Sequence, residues 1–292
     1  MLDNCKENYM LSLDSNIHEM PVVAVDLETS GAYPIGNEIC EIGMVRYQNG
    51  KVVDEYQSLV KPTQKMGSAV IKIHGITNEM VEYSPSIEDV LPIVHNMLKD
   101  AVVIAHHAPF DLGFLAYDFE RYSYDLPQMP ALCSSLLSRK LFPEAPNHRL
   151  QTLIRFFELE QGVAHRALDD AVACLEVAKH CFDKSEPATL KNLIAIQAKK
   201  LSWDSYSIDA LRRNAVLGTL VDAIEKKQEV KIDYEKAKGV SRGRGLKPWG
   251  IVRNPDGDYV NALCLRDNKN KRFYLNKIRE TYSSSSFESE DS

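Results

Sequence analysis

No apolar run in the 292-residue sequence approaches the roughly 20 residues of a membrane-spanning helix. The first twenty residues are polar, with Asp3, Lys6, Glu7 and Asp14, and lack the apolar core of a signal peptide. Cysteine is sparse and scattered: Cys5, Cys40, Cys133, Cys174, Cys181 and Cys264 form no Cys-x-x-Cys pair, which argues against a zinc site. Without an export signal these thiols are not expected to form a disulfide framework, and a cytoplasmic location with no membrane association is expected. The net charge of −6 lacks the basic excess of a general polyanion binder. What is present is ordinary for a folded chain, 44% hydrophobic and 26% charged residues, and long enough for two domains.

The chain is organised around Val22-Val23-Ala24-Val25-Asp26-Leu27-Glu28-Thr29-Ser30-Gly31. A β-branched apolar run predicts a buried strand, and residues two apart on a strand share a face. Asp26 and Glu28 therefore aim at one point. Two adjacent carboxylates repel and raise each other's pKa, and a hard divalent cation relieves that repulsion. Taken singly, the pair could equally end a strand and open a turn. Ile39–Tyr47 and Lys51–Val60 predict an antiparallel hairpin closed by Asn49-Gly50, two residues that tolerate positive φ. A helix is expected after Ser84-Pro85. A buried strand over 101–105 then runs into His106-His107-Ala108-Pro109-Phe110-Asp111, where Pro109 can start a helix and Asp111 sits in its first turn. His165-Arg166-Ala167-Leu168-Asp169-Asp170 enters a later helix whose Ala171, Leu175 and Ala178 face inward.

Together these three clusters resemble the DEDDh (DnaQ-like) family of 3′→5′ exonucleases, which includes the proofreading epsilon subunit of bacterial replicative polymerases. The likeness extends to Thr29, Gly31, His74-Gly75-Ile76-Thr77 and His106, and runs from about Val22 to Phe182. It departs at His107, where the family usually carries Asn. The resemblance implies an α/β, RNase H-like fold: a mixed five-stranded sheet flanked by helices. It implies two divalent ions, Mg²⁺ or Mn²⁺, held by Asp26, Glu28, Asp111 and Asp170, with His165 as general base. Asp26 would bridge both ions, Glu28 and Asp170 would complete the more tightly held one, and Asp111 would support the second. Leu27, Thr29, His74, Ile76, His106 and Phe110 would form the pocket for the terminal nucleotide. The implied substrate is a nucleic acid 3′ end. The expected reaction is release of nucleoside monophosphates from single-stranded or frayed DNA 3′ ends, with RNA 3′ ends as the alternative and a non-catalytic binding or regulatory role on a nuclease scaffold as the second; a polymerase or repair partner stays open.

After Phe182 the pattern changes. Helices are expected over 190–201 and 207–227, then short strands with an Asp256-Gly257 turn. Ile232-x-Tyr234, Lys247-Pro248-Trp249, Gly257-Asp258-Tyr259-Val260 and Arg272 to Ile278 resemble a degenerate WYL domain, an Sm-like β-barrel module that binds nucleic acid or nucleotide ligands. Lys236, Lys238, Arg242, Arg244 and Arg272 with Trp249 and Tyr274 could offer single strands a basic, aromatic surface. The expected organisation is an extension over 1–20, the nuclease domain over 21–184, a helical connector over 185–228, the β domain over 229–281 and a disordered tail over 282–292.

Overall fold

The computed structural model describes residues 12–160 and 162–283. The expectations for residues 1–11 and for the tail from 284 onward lie outside the described residues. In chain order the elements are β1 (Val22–Thr29), β2 (Ile39–Gln48), β3 (Lys51–Leu59), α1 (Ser68–His74), α2 (Ile87–Leu98), β4 (Val102–Ala105), α3 (Pro109–Arg121), β5 (Leu132–Cys133), α4 (Ser134–Leu141), α5 (Leu150–Phe156), α6 (Ala167–Lys184), α7 (Leu190–Gln197), α8 (Ile208–Arg212), α9 (Gly218–Glu225), β6 (Val230–Lys236), β7 (Gly239–Val252), β8 (Tyr259–Cys264), β9 (Lys269–Tyr274) and β10 (Ile278–Ser283).

The first sheet has strand order β3-β2-β1-β4-β5. β1 pairs antiparallel with β2 and parallel with β4, so the sheet is mixed as expected. The β2–β3 turn places Asn49 and Gly50 at positive φ, 50° and 79°. Alternation along β1 divides its side chains between two cores. Val23, Val25 and Leu27 pack with the apolar faces of α2 and α3. Val22 and Ala24 pack with Ala171, Cys174 and Ala178 of α6. Asp26 and Glu28 continue this second face, which aims both carboxylates at the start of α6.

Residues 12–20, expected as part of an extension, pack against the first domain. Ile17 and Met20 are buried in the α6-side core, and the Ile17 N–H donates to the Ala188 carbonyl. The segment before α7 supplies the open backbone edge that holds them. The helix expected over 190–201 stops at Gln197, whose buried amide accepts from the Cys133 N–H and donates to the Ala131 carbonyl. The single helix expected over 207–227 is two, because the Asn214 side chain accepts the Val216 and Leu217 N–H groups that a continuous helix would use.

The second sheet is antiparallel, with order β10-β6-β7-β8-β9. Among the described residues no ladder joins β9 to β10, so the expected barrel is an open five-stranded sheet. Its core takes Leu220, Val221 and Ile224 from α9 together with Val230, Ile232, Ile251, Val260 and Phe273. Glu120 of α3 ties the halves together, accepting from the Ser207 hydroxyl and from the Ile208 and Asp209 amides at the start of α8.

Candidate active site

Four carboxylates from three elements converge at the end of β1. Asp26 and Glu28 lie on the strand itself. Asp111 is in the first turn of α3, which Pro109 begins immediately after β4. Asp111 is almost fully buried, and the nearby Leu27 backbone N–H partly offsets the upward push of that burial on its carboxyl. Asp170 is in the first turn of α6, where its Oδ2 accepts the His165 N–H at 2.9 Å. One ligand atom each of Glu28, His165 and Asp170 lies within 4.8 Å of the others. His165 Nδ1 is 4.0 Å from Glu28 Oε1, and the histidine side chain is 56% exposed.

The electrostatics follow from this crowding. Burial, then Asp111, Asp170 and Glu28, push the Asp26 carboxyl well above its ordinary range. Burial and then Asp170 raise Glu28 from 4.5 to about 7. Burial is also the leading cause of the upward shifts of Asp111 and Asp170. Groups so disposed hold protons that a cation would displace, and an all-oxygen set beside one imidazole suits a hard divalent ion such as Mg²⁺ or Mn²⁺.

Two features absent from the sequence reading hold this arrangement. The first is Gly43, opposite Asp26 in the β1–β2 register. A Cβ there would fall inside contact distance of the Ala167 backbone. Only glycine lets α6 approach close enough to bring Asp170 over β1. The second is Glu41, fully buried on β2 directly across from Glu28. Its Oε1 accepts from Arg166 Nη2 at 2.7 Å and from Gln57 Nε2 at 2.9 Å, and its Oε2 accepts the Ala167 N–H at 3.1 Å. Glu41 thus anchors the residue after His165 and supplies a carboxylate at the positive end of α6, whose N-terminus has no other side-chain cap. Glu41→Gln removes the charge facing Arg166 and turns one of the two oxygens into a donor. The expected result is about 1–3 kcal/mol lower stability in urea unfolding, the cost of leaving a buried polar group such as the Ala167 N–H without its acceptor, because the Arg166 side chain is itself 35% exposed.

The structure divides the expected nucleotide-pocket residues. Phe110 is 37% exposed beside Phe114. Thr29 is buried, its hydroxyl donating to the Gly31 carbonyl at 2.7 Å. Leu27 and Ile76 are core residues. His74 is buried, with Nδ1 accepting the Ile76 N–H and Nε2 3.9 Å from Cys40 Sγ; burial lowers its pKa. His106 has both ring nitrogens engaged, one with Ser134 Oγ at 2.8 Å and one with the His148 carbonyl at 3.0 Å, and burial holds its pKa down to about 4. Neither ring has a nitrogen left over for a substrate. His107 stands at φ 76°, in the left-handed region where Asn and His are among the better tolerated residues. The exchange of Asn for His therefore preserves the turn between β4 and α3.

The family model described as Exonuclease matches residues 23–178, over half of the chain. The chain belongs to the exonuclease family. The WYL domain model matches residues 215–282 of this exonuclease-family chain, the segment from just before α9 to β10. Among curated relatives, a DNA polymerase III PolC-type of Oceanobacillus iheyensis is 36% identical over 160 residues, covering 55% of this chain and 11% of that protein. A putative bifunctional exonuclease/endonuclease protein of Mycobacterium tuberculosis is 38% identical over 172 residues, covering 56% of this chain and 27% of that protein. The chain thus spans less than a third of the length of either relative. A solved exonuclease I structure, 16% identical, superposes with a TM-score of 0.53 over 84% of this chain and 55% of that one, and shows the same fold. Among the described residues no helix is long and apolar enough to cross a membrane.

Proposed function

We propose that this chain is a metal-dependent 3′→5′ exonuclease that releases nucleoside monophosphates from single-stranded or frayed DNA 3′ ends. The observation that carries the reading is the convergence of Asp26, Glu28, Asp111 and Asp170, all with raised pKa, beside the His165 imidazole. Membership of the exonuclease family and the PolC-type DNA polymerase relative support it. The four carboxylates would hold the divalent ions. Two such ions supply charge neutralisation at the scissile phosphate, an activated water and stabilisation of the leaving oxygen.

The chain's own residues do the rest. His165 Nδ1 faces Glu28, which leaves Nε2 to take a proton from the attacking water. Glu41 and Arg166 fix the backbone from which His165 projects. Phe110 stacks on the terminal base without reading its identity, and Thr29 lies beside it. Leu27, His74, Ile76 and His106 form the wall behind that contact. A polymerase or repair protein as partner, and a nucleotide ligand on the second module, belong to the same proposal.

Raised carboxylate pKa values have a stability consequence. An acid whose folded pKa exceeds its unfolded value contributes stability that is present at low pH and lost as pH rises through the folded value. For Glu28 that window runs from 4.5 to about 7. The metal-free protein is therefore expected to melt at lower temperature at pH 8 than at pH 5. Mn²⁺ at about a hundred times its Kd adds about 2.7 kcal/mol, or about 5–10 °C in Tm at pH 8. Melting curves with and without Mn²⁺ at both pH values check this.

The functional test is incubation of 5′-labelled single-stranded DNA and its RNA counterpart with the protein in Mn²⁺. A ladder shortening one nucleotide at a time on DNA is expected. Faster shortening of RNA would instead make the chain an exoribonuclease, and intact ends on both would leave the fold as a binding scaffold.

A further inference from the structure

The second module reaches the rim of the candidate active site. A cavity of about 140 Å³ lies between the two halves, lined by His107, Pro109 and Phe110 on one side and Val252, Arg253 and Asn254 at the end of β7 on the other. The same aromatic ring assigned to the terminal base therefore shares a cavity with the first turn after β7. Two contacts hold β7 there. Tyr33, in the loop after β1, packs against Gly250, where a Cβ would overlap its ring, and its hydroxyl accepts from Asn261 Nδ2 at 2.9 Å. Arg253 donates to the Ser207 carbonyl at 2.9 Å and pairs with Asp258, so it is a fixed part of the wall rather than a free cation.

From this cavity the sheet register defines a row of side chains. Val252 pairs with Tyr259, and Tyr259 with Tyr274. The neighbouring positions Ile251, Val260 and Phe273 are buried in the module's core, so the row lies on the outward face. The rings of Tyr259 and Tyr274 are 6.0 Å apart and edge-on. Arg272 lies 5.0 Å over the Tyr259 ring, and Lys277 Nζ lies 5.7 Å from the centre of the Tyr274 ring. Among the described residues neither cation pairs with a carboxylate. The row spans two strand spacings, about 10 Å. Of the basic residues picked from sequence, Arg244 is excluded: it is buried and paired with Asp267. Lys236 and Lys238 lie at the far β6–β7 turn.

We infer that the outward face of β7, β8 and β9, with Tyr259, Tyr274, Arg272 and Lys277, is the path of single-stranded DNA upstream of the 3′ end bound at Phe110. The exposed Tyr274 ring provides a stacking surface that tolerates any base, the half-buried Tyr259 ring continues it under Arg272, and the two cations, neither paired with a carboxylate among the described residues, match the backbone phosphates. The path begins at the cavity shared with Phe110, so one strand runs from the second module into the first. The polarity of that strand rests on the exonuclease reading; the binding surface itself does not.

The test uses the full chain and the exposed-residue variants Arg272→Ala, Lys277→Ala and Tyr274→Ala. Equilibrium binding of labelled dT12 is measured from 50 to 200 mM salt, and hydrolysis is measured on dT12 and on a thymidine dinucleotide. Each variant is expected to bind dT12 about 5- to 100-fold more weakly. Loss of either cation should reduce the salt slope by about 1. KM should rise for dT12 while the dinucleotide rate is kept. Variants that bind and degrade dT12 like the parent would overturn the path. Parent binding that is lost in the variants, with no hydrolysis of either substrate, would sink the exonuclease reading and leave the surface standing. Tighter binding of rU12 than dT12 through the same residues would overturn the assignment to DNA.

Discussion

Replacing Asp26 by Asn is expected to lower turnover on a DNA 3′ end by about 10²–10³-fold and to raise the melting temperature of the metal-free protein. The rate loss is the size seen when one preorganised electrostatic partner of a transition state is removed. Asp26 is the carboxylate surrounded by the others: Asp111, Asp170, Glu28 and Glu41 all push its pKa up. Asn keeps the shape and removes the charge, so the remaining acids lose a repulsive neighbour. A residue that merely supported the fold would give the opposite sign in stability. Steady-state rates and metal-free melting curves of the parent and the variant check both halves. Unchanged turnover in Asp26→Asn would remove this cluster from the chemistry.

His165→Asn is expected to slow turnover by about 10²–10⁴-fold, the usual contribution of a positioned general base. Asn suits the test better than Ala because His165 stands at φ 62°, a left-handed conformation that Asn accepts at low cost. The side chain is more than half exposed, so the fold should be unaffected. The Mn²⁺-induced rise in Tm should also persist, because the four carboxylates remain. A variant with the parental rate would mean that another group takes the proton. A variant that lost the Mn²⁺ shift along with its rate would make His165 a ligand rather than a base.

The local part of this site was legible in the sequence. Period-two alternation along Val22–Glu28 predicted that both acids share a face, and they do, on the α6 side. Asn49-Gly50 predicted the hairpin, and Pro109 predicted the helix that presents Asp111. The long-range part was not legible. Glu41 and Arg166 are separated by 125 residues, and no local pattern marks a buried glutamate in an apolar strand as the partner of an arginine at a helix start. Gly43 reads as an ordinary strand glycine until α6 is laid across it. The pocket residues show the same limit. Leu27, Ile76 and His74 are buried, and whether such a side chain faces a ligand or the core is set by tertiary packing. His106 illustrates this: its two ring nitrogens are claimed by Ser134 and by the His148 carbonyl, from segments 28 and 42 residues downstream. Beyond Phe182, apolar spacing predicted helix over 207–227, and the Asn214 side chain interrupts it. The boundary between the halves is blurred for a related reason: α9 precedes the second sheet in sequence but fills its core.

The most direct test is where Mn²⁺ binds. Crystals soaked in Mn²⁺ and measured for anomalous scattering should show density bounded by the carboxylates of Asp26, Glu28, Asp111 and Asp170, and none there in Asp26→Asn. Density confined to other acidic surfaces, in a protein that shortens DNA, would contradict the assignment of this cluster as the catalytic metal centre.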